Sequence, residues 1–168
     1  LVLLRFLLQL VRADFYNPIS QFIVRATNPP LVRLRRFIPG LWGVDLAALA
    51  LLITMEVLRI SLTAMLLGHS PRWTGIIFLS LGELAKLAVY TIIFSIFIHA
   101  LLSWFSNGLQ HPMTRLLGSF TDPILQPVRR ILPATGGIDL SPLVVFIAMM
   151  LILKLVVQPL LDLGRALL

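Results

Sequence analysis

Four apolar stretches divide the chain: residues 1 to about 11, then about 44–67, 83–105 and 140–161. The last three have the roughly 20 residues that a helix needs to cross the hydrocarbon core of a bilayer. After the first and third stretches the pattern changes to a helical period among arginines. Ile19, Phe22, Ile23 and Ala26 recur at i, i+3, i+4 and i+7, and Met113, Leu116, Leu117 and Phe120 do the same further on. Each set follows a capping side chain and a proline, Asn17-Pro18 or His111-Pro112, a helix-start signal. A second start signal, Thr27-Asn28-Pro29 or Thr121-Asp122-Pro123, leads into Leu31, Leu34 and Ile38 or Leu125, Val128 and Leu132, with Asn28 and Asp122 as caps. Pro39 and Pro133 close these runs. The pattern predicts two short amphipathic helices in each connection, lying in the membrane interface. Asp45 and Asp139 are then placed to cap the spanning helices that follow.

The two connections are copies. Residues 17–49 reappear as 111–143 at an offset of 94 (111 − 17), with eleven identities in thirty-three gapless columns: Pro18, Thr27, Pro29, Leu31, Arg35, Arg36, Pro39, Gly43, Asp45, Leu46 and Leu49. The offset sets Leu1 against Ser95, inside the third apolar stretch, so the first span is expected to lack its opening turns. The predicted fold is all-α: two parallel repeats, each spanning helix, paired interfacial helices, spanning helix, making a four-helix bundle. The divisions fall at 1–67 for the first repeat, 68–82 for an exterior loop and 83–168 for the second repeat.

Composition and charge add a solvent and an orientation. With 58% hydrophobic residues, 12% charged and a mean hydropathy of +0.97, the chain reads as an integral membrane protein. The connections hold Arg12, Arg25, Arg33, Arg35, Arg36, Arg115, Arg129 and Arg130, eight of the fourteen Lys and Arg. The positive-inside rule therefore predicts cytoplasmic connections. The chain has no cysteine, which excludes disulfides and thiolate chemistry. It has no Gly-rich phosphate loop, Gly-x-Ser-x-Gly or His-Glu-x-x-His, so no enzyme and no cofactor is expected. Haem ligation is not supported, because no two of His69, His99 and His111 have helix-facing spacing. The net charge of +7 lies along a membrane boundary, so the expected anionic partner is phospholipid and not nucleic acid.

The duplicated series Asn17-Pro18, Thr27-Asn28-Pro29, Arg35-Arg36-Phe37-Ile38-Pro39, Gly43-Val44-Asp45-Leu46 and its copy from His111-Pro112 to Gly137-Ile138-Asp139-Leu140 resembles the YggT (YlmG) family of bacterial membrane proteins. The resemblance covers nearly the whole chain and implies an inner-membrane protein with two repeats. It also implies a link to osmotic tolerance and ion homeostasis, as in some members, or to division-site or membrane-complex assembly, as in others. Plastid relatives are linked to cytochrome assembly and nucleoid distribution.

Two sets of residues are candidates for function. Arg33, Arg35, Arg36, Arg129 and Arg130 sit where positive charge complements helix carbonyls and where anionic headgroups are reached. They also have the option of pairing with Asp45 or Asp139, within a repeat or across the pseudo-twofold axis, of docking a partner, or of lining an ion vestibule. Glu56, Arg59 and Lys154 are charges within spans, which must find partners or water. A Glu56–Arg59 or Glu56–Lys154 pair, a hydrated ion or proton path and an oligomer contact are the readings open to them. Arg5 aligns with His99, and both are expected to point into the bundle. Glu83 and Lys86 read as a pair at the outer start of the third span. The first functional expectation is a scaffold or accessory subunit whose cytoplasmic platform binds anionic lipid and docks a membrane partner or a second copy. The alternatives are an oligomeric ion channel or transporter component, and a cofactor-assembly factor.

Overall fold

A computed structural model describes residues 1–41, 43–68, 72–105, 111–132 and 139–168. His69, Pro133, Gly137 and Ile138 of the sequence motifs lie outside the described residues. The architecture is all-helical: α1 (Val2–Leu10), α2 (Pro18–Arg35), α3 (Leu46–Leu66), α4 (Trp73–Phe105), α5 (Pro112–Ile131) and α6 (Ser141–Ala166). Three helices, Leu46–Leu66, Trp73–Leu102 and Ser141–Ala166, are long and apolar enough to cross a membrane. Their large side chains Met55, Leu58, Leu62, Phe94, Phe97, Ile147 and Leu155 face outward, a surface that only lipid or another membrane helix covers favourably. The chain is a multi-pass membrane protein.

Each connection holds one helix where the sequence predicted two. Asn28 and Asp122 are therefore not caps; they lie inside α2 and α5. Proline inside a helix removes one amide donor and strands the carbonyl four residues back. In α2 the stranded carbonyls belong to Arg25 and Ala26, both exposed, and Pro29 and Pro30 are exposed too. Exposed oxygens of this kind are open to water or headgroups, so the helix can continue at little cost. Pro123 and Pro127 of α5 are exposed in the same way. The true starts are as expected: Asn17 accepts the Ile19 amide at 3.0 Å and His111 Nδ1 the Met113 amide at 3.4 Å.

The third span also departs from its expected start. α4 begins at Trp73, so most of the expected exterior loop is helix and Glu83–Lys86 sits well inside α4, not at its outer end. Within the stretch expected to be a loop, Gly75 serves a helix crossing, as does Gly164 on the partner helix. A Cβ on Gly75 would meet the Leu168 amide nitrogen at 2.7 Å, and one on Gly164 would meet the Leu79 amide nitrogen at 2.8 Å. Small residues let α4 and the end of α6 approach this closely. Ile60, Ile76, Leu79, Val157 and Leu161 pack around the crossing. Gly164→Ala is expected to cost about 1–3 kcal/mol through overpacking against backbone. Thermal unfolding in detergent measures it, and an unchanged midpoint would contradict the crossing.

The repeats are joined on the connection side. Leu7 and Leu8 of α1, Ile23 of α2 and Leu116 and Phe120 of α5 form one buried cluster. Asn17 Nδ2 donates to the Pro112 carbonyl, the Asp14 amide to Ser119 Oγ at 3.1 Å, and Arg115 to Asp14 at 3.3 Å. Helices α2 and α5 thus form a single platform. Their inner faces bury Thr27 and Leu31, and the repeat-equivalent Thr121 and Leu125.

Candidate functional site

Two polar clusters, one per repeat, sit where the platform meets the spans, and the offset of 94 relates them residue by residue. In the first, Arg5 is only 7% exposed and is held by three acceptors. Its Nη1 donates to Thr27 Oγ1 and Asn28 Oδ1 at 2.9 Å and to the Val24 carbonyl at 3.2 Å. In the second, His99 Nδ1 lies 2.8 Å from Thr121 Oγ1. The Thr121 hydroxyl has one hydrogen and donates it to the Leu117 carbonyl at 2.8 Å, so the network assigns the proton of this contact to His99 Nδ1. Arg5 and His99 both turn inward, as expected.

The arginine pairs divide their work. Arg35 at the end of α2 forms an ion pair with Asp45, the N-cap of α3, whose carboxylate also accepts the Ala48 amide at 3.1 Å. Arg129 repeats this with Asp139 at 2.8 Å and adds Asp122 at 3.0 Å. Asp139 accepts the Ser141 amide at 2.9 Å. Each bridge is made within one repeat, ten residues apart. The alternative across the pseudo-twofold axis is not what forms. The chain returns to Asp45 through a tight turn in which Leu41 and Val44 exchange backbone bonds and Gly43 takes φ +83°, a conformation that favours glycine. The side chains of Arg33, Arg36 and Arg130 remain exposed and make no hydrogen bond or ion pair among the described residues.

The two clamps differ in burial. The side chain of Asp45 is 4% exposed and that of Asp139 43%. Burial pushes the Asp45 carboxyl upward, but the Arg35 hydrogen bond and the Ala48 amide outweigh it, and the net shift is below the usual carboxylate range. Asp139 shifts the same way: burial raises it, while the Ser141 amide and Arg129 lower it further.

The in-span charges resolve into local pairs with one exception. Arg59 pairs with Glu56 one turn away, both of its bonds falling on Oε1. Lys86 pairs with Glu83 at 3.3 Å. Lys154 does not meet Glu56. It is exposed on a π-helical turn, Leu153–Val157, and has no partner among the described residues. Among the described residues no group of three His, Asp or Glu is placed to hold a metal ion.

Sequence reasoning missed a cleft of about 730 Å³ beside the first cluster. Arg5, Arg12, Arg35 and Asp45 line it, with apolar walls that include Leu8 and Ile23. Its signal in the sequence was faint, because Arg12 is one arginine among many in the connection.

The CCB3/YggT family pattern matches residues 1–66 and again 78–160. An uncharacterized protein of Pseudomonas aeruginosa is 44% identical over 160 residues, covering 94% of this chain and 81% of that protein. One of Vibrio alginolyticus is 41% identical over 150 residues, covering 88% and 80%. The uncharacterized protein YggT of Escherichia coli strain K12 is 36% identical over 152 residues, covering 90% and 78%. No solved structure matches.

Proposed function

The chain belongs to the CCB3/YggT family, and from that premise we propose that it is a non-enzymatic scaffold or accessory subunit of the bacterial inner membrane. Its arginine platform faces the cytoplasm, holds anionic phospholipid and docks a membrane partner. The observation that carries this reading is the division of labour among the arginines. Arg35 and Arg129 are committed to clamping the platform onto the spanning helices, whereas Arg33, Arg36 and Arg130 are left exposed on it. A rigid, outward-facing cationic surface at headgroup level attracts acidic lipid at about 1 kcal/mol per basic residue. Such a contact weakens as salt rises, which fits the osmotic tolerance that the resemblance implies.

The test uses the full chain in vesicles of phosphatidylcholine with a minor share of phosphatidylglycerol, read with spin-labelled lipid. The triple variant Arg33→Gln, Arg36→Gln, Arg130→Gln is expected to lose most of the salt-sensitive enrichment in phosphatidylglycerol, roughly 3 kcal/mol by that estimate. Unchanged enrichment with unchanged salt dependence would refute the platform reading.

An ion-conducting oligomer is the second reading, favoured by Lys154. In the apolar stretch 140–161 it lies seven residues, about 10 Å at 1.5 Å per residue, from the outer end, exposed and without a partner among the described residues. Water in a conducting pathway, or a carboxylate on a neighbouring chain, would satisfy it.

A further inference from the structure

The cleft beside Arg5 is asymmetric within an otherwise duplicated protein, and its chemistry selects a ligand. Three arginines, Arg5, Arg12 and Arg35, line it with a single acidic residue, Asp45. The equivalent cluster of the second repeat has the opposite balance. There, by the offset of 94, His99 stands for Arg5 and Asp122 for Asn28, so Arg129 faces two carboxylates. An anion is attracted to the first cluster and repelled by the second.

Arg12 supplies an independent observation. It ends α1 with φ +54°, the one non-glycine residue with positive φ among those described. Its amide bonds the Gln9 carbonyl and the Ala13 amide bonds the Leu8 carbonyl, the hydrogen bonds of a Schellman cap, whose left-handed position ordinarily takes glycine. An arginine there costs stability that glycine would not, and its side chain lines the cleft. Strain kept at a position that presents a charged group to a cavity points to use of that group.

The surroundings identify the source of the anion. Phe15 and Tyr16, stacked edge to face with centroids 6.0 Å apart, stand exposed beside the cleft, as aromatic residues do at the headgroup level of a bilayer. Leu8 and Ile23 line the cleft with apolar surface, suited to the start of an acyl chain and not to a free ion. We propose that this cleft binds the headgroup phosphate of one acidic phospholipid, held by Arg12 and Arg35 with Arg5 behind them, at one site per chain. The proposal rests on the lipid-binding platform above but assigns a discrete site that the exposed arginines do not form.

Native mass spectrometry of the full chain, extracted from bilayers of phosphatidylcholine and phosphatidylglycerol, tests it. One phosphatidylglycerol is expected to stay bound per chain through a high-salt wash. Arg12→Gln and Arg12→Gly are each expected to weaken retention about tenfold or more, the effect of losing a charge-assisted contact. Arg12→Gly removes the strained conformation, so its thermal midpoint is expected to equal or exceed the wild type's, which separates lost binding from lost folding. Arg165→Gln, at the far end of α6, is expected to change nothing. Wild-type retention in Arg12→Gly would overturn the site. Equal retention of phosphatidylcholine would overturn its acidic selectivity, and displacement by millimolar inorganic phosphate would overturn its assignment to a lipid. If no phosphatidylglycerol is retained while the salt-sensitive enrichment around Arg33, Arg36 and Arg130 persists, the site fails and the platform stands. Retention without that enrichment gives the converse.

Discussion

Phe120→Ala is expected to destabilise the protein by about 3–5 kcal/mol, the range for truncating a buried aromatic side chain. Phe120 is 2% exposed, and its neighbours come from both repeats: Leu7 and Leu8 of α1, Ile23 of α2 and Leu116 of its own helix. The cavity would open at the seam between the repeats. Polar contacts across the seam, Asn17 to Pro112 and Asp14 to Ser119, lose their alignment if α2 and α5 separate. Thermal unfolding in detergent reads the loss, and cysteines introduced on α2 and α5 read the separation by their cross-linking rate. A midpoint within error of the wild type would mean that the seam does not hold the halves together.

Arg35→Leu is expected to cost about 3 kcal/mol, whereas Arg129→Leu costs at most about 1 kcal/mol. The bridges are copies, but removal of Arg35 leaves a carboxylate that is 4% exposed, and removal of Arg129 leaves two, Asp139 and Asp122, that are 43% and 42% exposed. Water solvates these two and not the first. Equal losses in the two variants would contradict the assigned burial. The same bridge sets a pH dependence. The folded-state pKa of Asp45 lies below its ordinary value, so its contribution is fully present above the unfolded pKa and disappears only as pH falls through the lower folded value. Stability measured between pH 5 and 8 is therefore expected to show no loss from this group, and a fall beginning only in stronger acid.

The repeat, the helical class, the Asn17 and Asp45 caps and the pairing of Arg5 with His99 were legible because a duplicated sequence reports equivalent positions without any contact being known. The Arg35–Asp45 bridge was legible only as one option among several. Its geometry depends on a turn that brings the chain back within ten residues, which no periodicity encodes. Thr27-Asn28-Pro29 misled because asparagine and proline at a helix start look the same as in a helix whose stranded carbonyls face solvent. The loop expected at 68–82 is mostly helix, because Gly75 permits a close helix crossing there, and a glycine of that kind is the same letter as one that permits a turn. Of the two partners open to Glu56, Arg59 and Lys154, it is Arg59 one turn away on the same helix that pairs with it. The left-handed backbone of Arg12 leaves no trace in residue spacing, so the cleft it lines emerged only from the fold.

As a lipid-holding platform, the protein is expected not to conduct ions. Ion flux from sealed phosphatidylcholine–phosphatidylglycerol vesicles carrying the purified full chain tests it most directly. The platform account predicts flux no greater than that of protein-free vesicles. A flux whose ion selectivity changes in Glu56→Gln would contradict it.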